Sequence, residues 1–162
     1  MIIARKPILV TGSHRSGTTW AGKMLAHAPK TVYINEPFNI NTSNIIEIPI
    51  YNWFQYISEE NSSQVQEELL ELFTYYYPLR CKISKSNSFR DVVKVVREHG
   101  KLLYFRVNNY TPIVKDPIAI FSAGWLSKTY NMNVLVMIRH PAAFCSSLLL
   151  KGWRYDFSHF LK

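Results

Sequence analysis

The residues best suited to chemistry lie close together near the start of the chain, in Pro7 to Trp20, which reads PILVTGSHRSGTTW. Two glycines, Gly12 and Gly17, bracket small polar residues and one cation, Arg15. Glycine lets the backbone turn tightly and approach an anion closely. Ile8-Leu9-Val10 has the length and β-branching of a buried strand, and a helical pattern runs from Trp20 to Ala28. A strand, a glycine loop and a helix N-terminus in that order make a cradle for a phosphate-like group. Successive N–H groups point into one concavity, and the helix dipole adds about half a positive charge there.

Other polar residues fall where a sheet would carry them to this loop. Short β-rich runs at Thr31–Ile34, Pro112–Lys115 and Asn133–Ile138 end in Glu36-Pro37, Asp116-Pro117 and Arg139-His140-Pro141. Proline is favoured at the first helical position, so each reads as a strand-to-helix corner. In an open parallel sheet those corners share the ligand-binding edge. NVLVMI, residues 133–138, is the clearest buried strand.

Between these points the chain is read more coarsely. Phe38 to Tyr56 is aromatic, Asn-rich and aperiodic, a long surface segment of a kind that often carries function. A helix is expected from about Ser63 to Tyr77, with Val65, Leu69, Leu72, Phe73 and Tyr76 on one face and a capping box Ser63-x-x-Gln66. Ser88-x-x-Asp91 opens another, with Phe89, Val92, Val93 and Val96 on one side and Gly100 as its stop. Lys101 to Val107 is expected to be a strand or the approach to one. Helices are also expected from Asp116-Pro117 to about Tyr130, from Pro141 to about Leu150, and from Asp156 onward.

The 162 residues suit one domain with a proper core, and 48% hydrophobic against 19% charged is a folded, globular balance. A net charge of +8 suits a polyanion: nucleic acid, an anionic polysaccharide, or a nucleotide with several phosphates. The two cysteines, Cys81 and Cys145, lack the spacing of a disulfide framework or zinc site. Cys145 falls in an apolar helical pattern, as a small hydrophobe would.

The loop spacing nearly matches the nucleotide-triphosphate loop G-x-x-x-x-G-K-[ST], with Gly12, Gly17 and Thr19 in place. Thr18 stands where the lysine for the β- and γ-phosphates should be, which argues against ATP or GTP. Arg15-Ser16-Gly17-Thr18-Thr19-Trp20 instead resembles the 5′-phosphosulfate loop of PAPS-dependent sulfotransferases, whose carbohydrate-modifying and bacterial branches often read R-S-G-T-T or R-S-G-S-T. Val134 to Ser147, VLVMIRHPAAFCSS, resembles the same family's 3′-phosphate motif. Arg139 follows a strand and Ser147 lies eight residues on. A phosphate needs a fixed cation and hydroxyl donors, and a planar guanidinium suits it better than an ammonium. The resemblance covers residues 7–37 and 112–150; between them, Phe38 to Tyr110 is matched to no motif of that family, and substrate specificity is expected to lie there. The chain is short for the family, and the family's C-terminal part is expected to be missing.

That resemblance assigns roles. Arg15, Ser16, Gly17, Thr18, Thr19 and Trp20 would hold the 5′ end of PAPS (3′-phosphoadenosine 5′-phosphosulfate) or of adenosine 3′,5′-bisphosphate. Arg139 and Ser147 would hold its 3′-phosphate. Glu36 looks like the general base of the heparan-modifying enzymes, and Lys115 ends the strand that precedes the catalytic histidine of the cytosolic ones. Pro117 stands at that histidine's position, so the cytosolic base is absent. Arg15, Lys115 and the loop amides would stabilise charge on the leaving oxygen. Each residue also has a plain structural alternative. Glu36 suits a helix start and Asp116 an N-cap before Pro117, Lys115 can reach solvent, and Arg139 and Ser147 can finish a helix corner. His14 is either an alternative base or an exposed loop residue. Tyr51, Trp53, Phe54 and Tyr56 either stack on sugar rings or pack a loop.

The expectation is one α/β domain over residues 1–162, a P-loop-type three-layer fold with a parallel sheet of four to five strands flanked by helices. The expected activity is in-line transfer of a sulfo group from PAPS to a hydroxyl or amine, on a carbohydrate or glycolipid. Its partners are then a nucleotide cosubstrate and that acceptor, with no nucleic acid. No metal is expected, since arginine and lysine can carry the charge. No run reaches the about 18 apolar residues of a membrane span, and Met1–Val10 is too short in its apolar run for a signal peptide. A cytoplasmic protein is expected; a Golgi enzyme without its anchor would read the same. A P-loop small-molecule kinase and a non-catalytic binder of nucleotide or sulfated polysaccharide are the alternatives.

Overall fold

Four five-residue segments form the sheet: β1 (Ile8–Gly12), β2 (Thr31–Asn35), β3 (Thr111–Lys115) and β4 (Asn133–Met137). The computed structural model describes residues 5–41, 48–84 and 88–153. All pairings are parallel and the strand order is β2-β3-β1-β4. The helices are α1 (Thr18–Leu25), α2 (Gln66–Thr74), α3 (Leu79–Ser84), α4 (Phe89–Val107), α5 (Ala123–Tyr130) and α6 (Pro141–Leu150). This is the expected α/β architecture, with four strands among the described residues.

Alternation along the strands divides the core between the two sheet faces. Leu9 and Val114 belong to the larger cluster, with Phe38, Ile57, Leu69, Phe73, Ile118, Trp125 and Leu126. Val10 and Ile113 face the other way and pack with Ala21 of α1. Strands β1 and β3 each have a neighbour on both sides, so both read as nearly continuous apolar runs.

Several local expectations are corrected. NVLVMI is not the most buried strand. Among the described residues β4 pairs only with β1, and Leu135, Val136 and Ile138 are exposed. Ser63 lies in a 3-10 turn, Ser62–Gln64, and α2 starts after Val65 with no side-chain cap, so that capping box does not form. The helix ends at Thr74, with Tyr75 left-handed, which leaves Tyr76 exposed. A short helix, α3, follows at Leu79–Ser84, and residues 85–87 lie outside the described ones.

Ser88 does cap α4, accepting from the Arg90 N–H, but the helix runs through Gly100 to Val107 with no strand. Glycine in a helix costs about 1 kcal/mol, and the helical residues on both sides offset it. The face of α4 is also reversed: Phe89, Val93 and Val96 point to solvent while Leu102 is buried. No helix follows Pro37, whereas Pro117 precedes a 3-10 turn, Ile118–Ser122, and Pro141 does open α6. Cys145 is exposed on α6 rather than packed. The expected helix from Asp156 lies outside the described residues.

Candidate functional site

β1 ends at Gly12, and the loop turns back into α1 through two left-handed residues, Arg15 (φ 63°) and Gly17 (φ 95°). Gly12 has φ 144°, and a Cβ there would stand 2.2 Å from the carbonyl oxygen of Met137 on the adjoining strand. Only glycine fits so close a strand contact. The Ser16 N–H and hydroxyl both donate to the Ser13 carbonyl, at 3.2 and 2.6 Å, which closes the turn. No side chain caps α1. Its first N–H groups therefore keep their hydrogen-bonding capacity for an anion. Thr18 is buried, whereas Thr19 and Trp20 are turned to solvent.

Sheet order carries the other end of the chain to this loop. β4 lies beside β1 with Gly12 opposite Met137, so the residues after β4 emerge next to the turn. The Arg139 guanidinium donates through Nη1 to the Arg15 carbonyl at 2.7 Å. Arg15 in turn donates from Nε to the Ser147 hydroxyl at 3.0 Å. Arg15, Arg139 and Ser147 thus form one group. Among the described residues the ion pairs are Lys115–Glu36 and Lys128–Glu59, so neither arginine has a carboxylate partner. Two exposed, unneutralised guanidiniums beside an uncapped helix start make a strongly anion-seeking surface.

Glu36 and Lys115 meet at the ends of β2 and β3. The Glu36 N–H donates to the Lys115 carbonyl at 2.8 Å, continuing the strand pairing by one residue, and the Lys115 Nζ donates to Glu36 Oε1. Lys115 is buried and does not reach solvent. Asn39 donates to the second carboxylate oxygen at 2.8 Å. Glu36 sits at φ 47°, uncommon for a residue with a side chain. Burial acts to raise the Glu36 pKa, but the Lys115 and Asn39 hydrogen bonds and the charges of Lys115 and His14 hold it below its ordinary value. His14 lies in the glycine loop and shares this field. Burial lowers its pKa, Glu36 opposes and Lys115 adds to the fall, so the ring is neutral at neutral pH. Its ring meets Phe54 edge-on at 5.4 Å and Trp153 at 6.1 Å.

Asp116 has a structural place. It is fully buried, with Oδ2 accepting from the Phe38 N–H at 2.7 Å and Oδ1 from the Ile118 N–H at 2.9 Å. Burial pushes its pKa up to about 7, against those backbone donors. It ties the segment after Glu36 to the end of β3. Of the aromatic residues 51–56, Tyr51 and Tyr56 are exposed, while Trp53 and Phe54 pack partly onto the core. Asn39 escaped the sequence reading. Its signal was the spacing Glu36-x-x-Asn39, which places an amide within reach of a carboxylate across one turn.

A model described as the sulfotransferase family matches residues 7–161, nearly the whole chain. No curated protein and no solved structure matches it. Among the described residues, no helix is long and apolar enough to cross a membrane.

Proposed function

The chain belongs to the sulfotransferase family, and we propose that it moves a sulfo group from PAPS to a hydroxyl or amine of a carbohydrate or glycolipid. The observation that carries this is the joining of Arg15, Arg139 and Ser147 beside the uncapped start of α1. One anion grip comes from each end of the chain, at a separation of 124 residues between the arginines. The bisphosphorylated donor carries its two anions on the 3′ and 5′ carbons of one ribose, close enough for two adjoining grips to hold.

PAPS would supply an activated sulfo group whose departure leaves adenosine 3′,5′-bisphosphate. The loop amides and Arg15 would bind the 5′ end, with Ser16, Gly17, Thr18, Thr19 and Trp20 shaping that side. Arg139 and Ser147 would bind the 3′-phosphate. Glu36 is ionised at neutral pH, as a general base must be, and would take the proton of the acceptor oxygen or nitrogen. Lys115 would stabilise charge on the leaving oxygen while holding Glu36 in place. Asn39 fixes the second carboxylate oxygen, which limits how the carboxylate can turn. His14, neutral and flanked by Phe54 and Trp153, would line the acceptor side.

The test is calorimetric titration with adenosine 3′,5′-bisphosphate of the native chain and of Arg139→Ala. The native chain should bind, and the variant should bind about tenfold or more weakly, the scale of one charge-assisted hydrogen bond at about 1.5–3 kcal/mol. A native chain that ignores this nucleotide but binds Mg-ATP tightly would overturn the reading in favour of a kinase.

A further inference from the structure

Helix α4 turns an apolar stripe outward. With 3.6 residues per turn, each residue advances about 100° around the axis. Val95 and Leu102 fall about 20° apart by that count. Leu102 is buried, and Val95 packs on the larger core cluster. Phe89, Val93, Val96, Leu103 and Val107 fall within an arc of about 80° well away from that face. Their exposures are 82%, 51%, 50%, 46% and 70%. A helix on a soluble domain ordinarily hides such a stripe and shows charge.

One flank of the stripe is cationic. Arg97, Arg90, Lys101 and Lys94 follow in that order at about 80° to 140° on the same count from Phe89, and all four are exposed. None of them is in an ion pair among the described residues. The helix's two carboxylates, Asp91 and Glu98, fall at about 180° to 200°, beyond the cationic flank and away from the stripe.

We propose that α4 docks the protein on the surface of an anionic lipid bilayer, lying in the interface rather than crossing it. The apolar arc would enter the boundary of the acyl chains. The arginines and lysines would lay their stems along its edge and set their charges among anionic headgroups. Charge selects this occupant. Four cations flank the stripe against one neighbouring carboxylate, Glu98, which lines a surface hollow with Lys94, Arg97 and Lys101, and the chain carries +8 overall, so a second copy would add like charge to like. Shape agrees with it. A helix of 19 residues, about 28 Å long, presents its apolar arc as an exposed ridge. A bilayer can close around a ridge. The inference is independent of the transfer reaction.

The test is flotation of the full chain with vesicles of phosphatidylcholine alone, and with about one third phosphatidylserine added. Binding should need the anionic lipid and fall as salt shortens the reach of the charges. Val93→Asp combined with Val96→Asp should abolish it. Arg90→Gln, Lys94→Gln and Arg97→Gln should each weaken it about fivefold. All these positions are exposed, so circular dichroism and Tm should stay unchanged. The proposal is overturned if the chain does not float, or floats equally well with neutral vesicles. It is overturned too if the substitutions leave binding intact. A dimer in sedimentation velocity, abolished by the two aspartates and unaffected by vesicles, would assign the stripe to a second copy instead. Retention on polyglutamate without flotation would assign it to an acidic polypeptide.

Discussion

Glu36→Gln separates a general base from a mere counter-ion. The substitution keeps the side chain's size and leaves one oxygen for Lys115, but removes the charge that faces a buried ammonium. Lys115's side chain is 5% exposed and Glu36's 22%, so the pair lies between the buried and surface limits. Breaking a fully buried pair costs about 3–5 kcal/mol, and an exposed pair is worth at most about 1. A retained hydrogen bond to Lys115 puts the loss of charge at about 1–2 kcal/mol. The new amide nitrogen would also face the Asn39 Nδ2 donor, now 2.8 Å from the carboxylate, which forfeits about 1 kcal/mol more. The sum is about 2–3 kcal/mol, or a fall in Tm of roughly 5–10 °C for a domain of this size. Turnover should fall further, by about 100- to 10,000-fold, the usual contribution of a positioned base. The assays are thermal unfolding, titration with adenosine 3′,5′-bisphosphate, and release of that nucleotide from PAPS across a panel of carbohydrate acceptors. Nucleotide affinity should be kept within about threefold, since the charge-assisted contacts that set it involve other residues. Equal loss of affinity and turnover would refute the base assignment, as would turnover that survives at the wild-type level.

Gly12→Ala should destabilise by at least about 2 kcal/mol, because the added Cβ would stand 2.2 Å from the Met137 carbonyl at a φ of 144°; an unchanged urea midpoint would contradict so close an approach of β4 to β1. Ser147→Ala removes the acceptor of the Arg15 Nε bond, 3.0 Å long, and should weaken adenosine 3′,5′-bisphosphate binding about three- to tenfold, as read by calorimetry. Asp116 gives a pH signature. Its pKa rises from 3.8 to about 7 on folding, so the native state holds the proton over that window and stability should fall as pH rises through it. Denaturant midpoints across pH 4 to 8 should show that decline, and Asp116→Asn should flatten it. Glu36 works in the opposite sense. Its depressed pKa contributes stability above the ordinary value of 4.5 that is lost as pH falls through the lower folded value, and Glu36→Gln should remove that acid-side loss.

The sequence by itself determined what depends on neighbours along the chain. The strand, glycine loop and helix of residues 7–28 were legible because β-branching, glycine spacing and helical period are local properties. The same holds for the Ser88 cap and for Pro141 at the start of α6. Resemblance suggested roles for Arg139 and Ser147, but only the fold placed them against Arg15, because that contact depends on β1 lying between β3 and β4. Strand order also decided that NVLVMI is an edge among the described residues, since an apolar run reads alike with one neighbour or two. For α4 the period was legible and the rotation was not. Its stripe of Phe89, Val93 and Val96 looks like a core face until tertiary packing buries Leu102 on the other side. Helical spacing fixes which residues share a face. Which face turns inward is set by the surface that the rest of the chain presents.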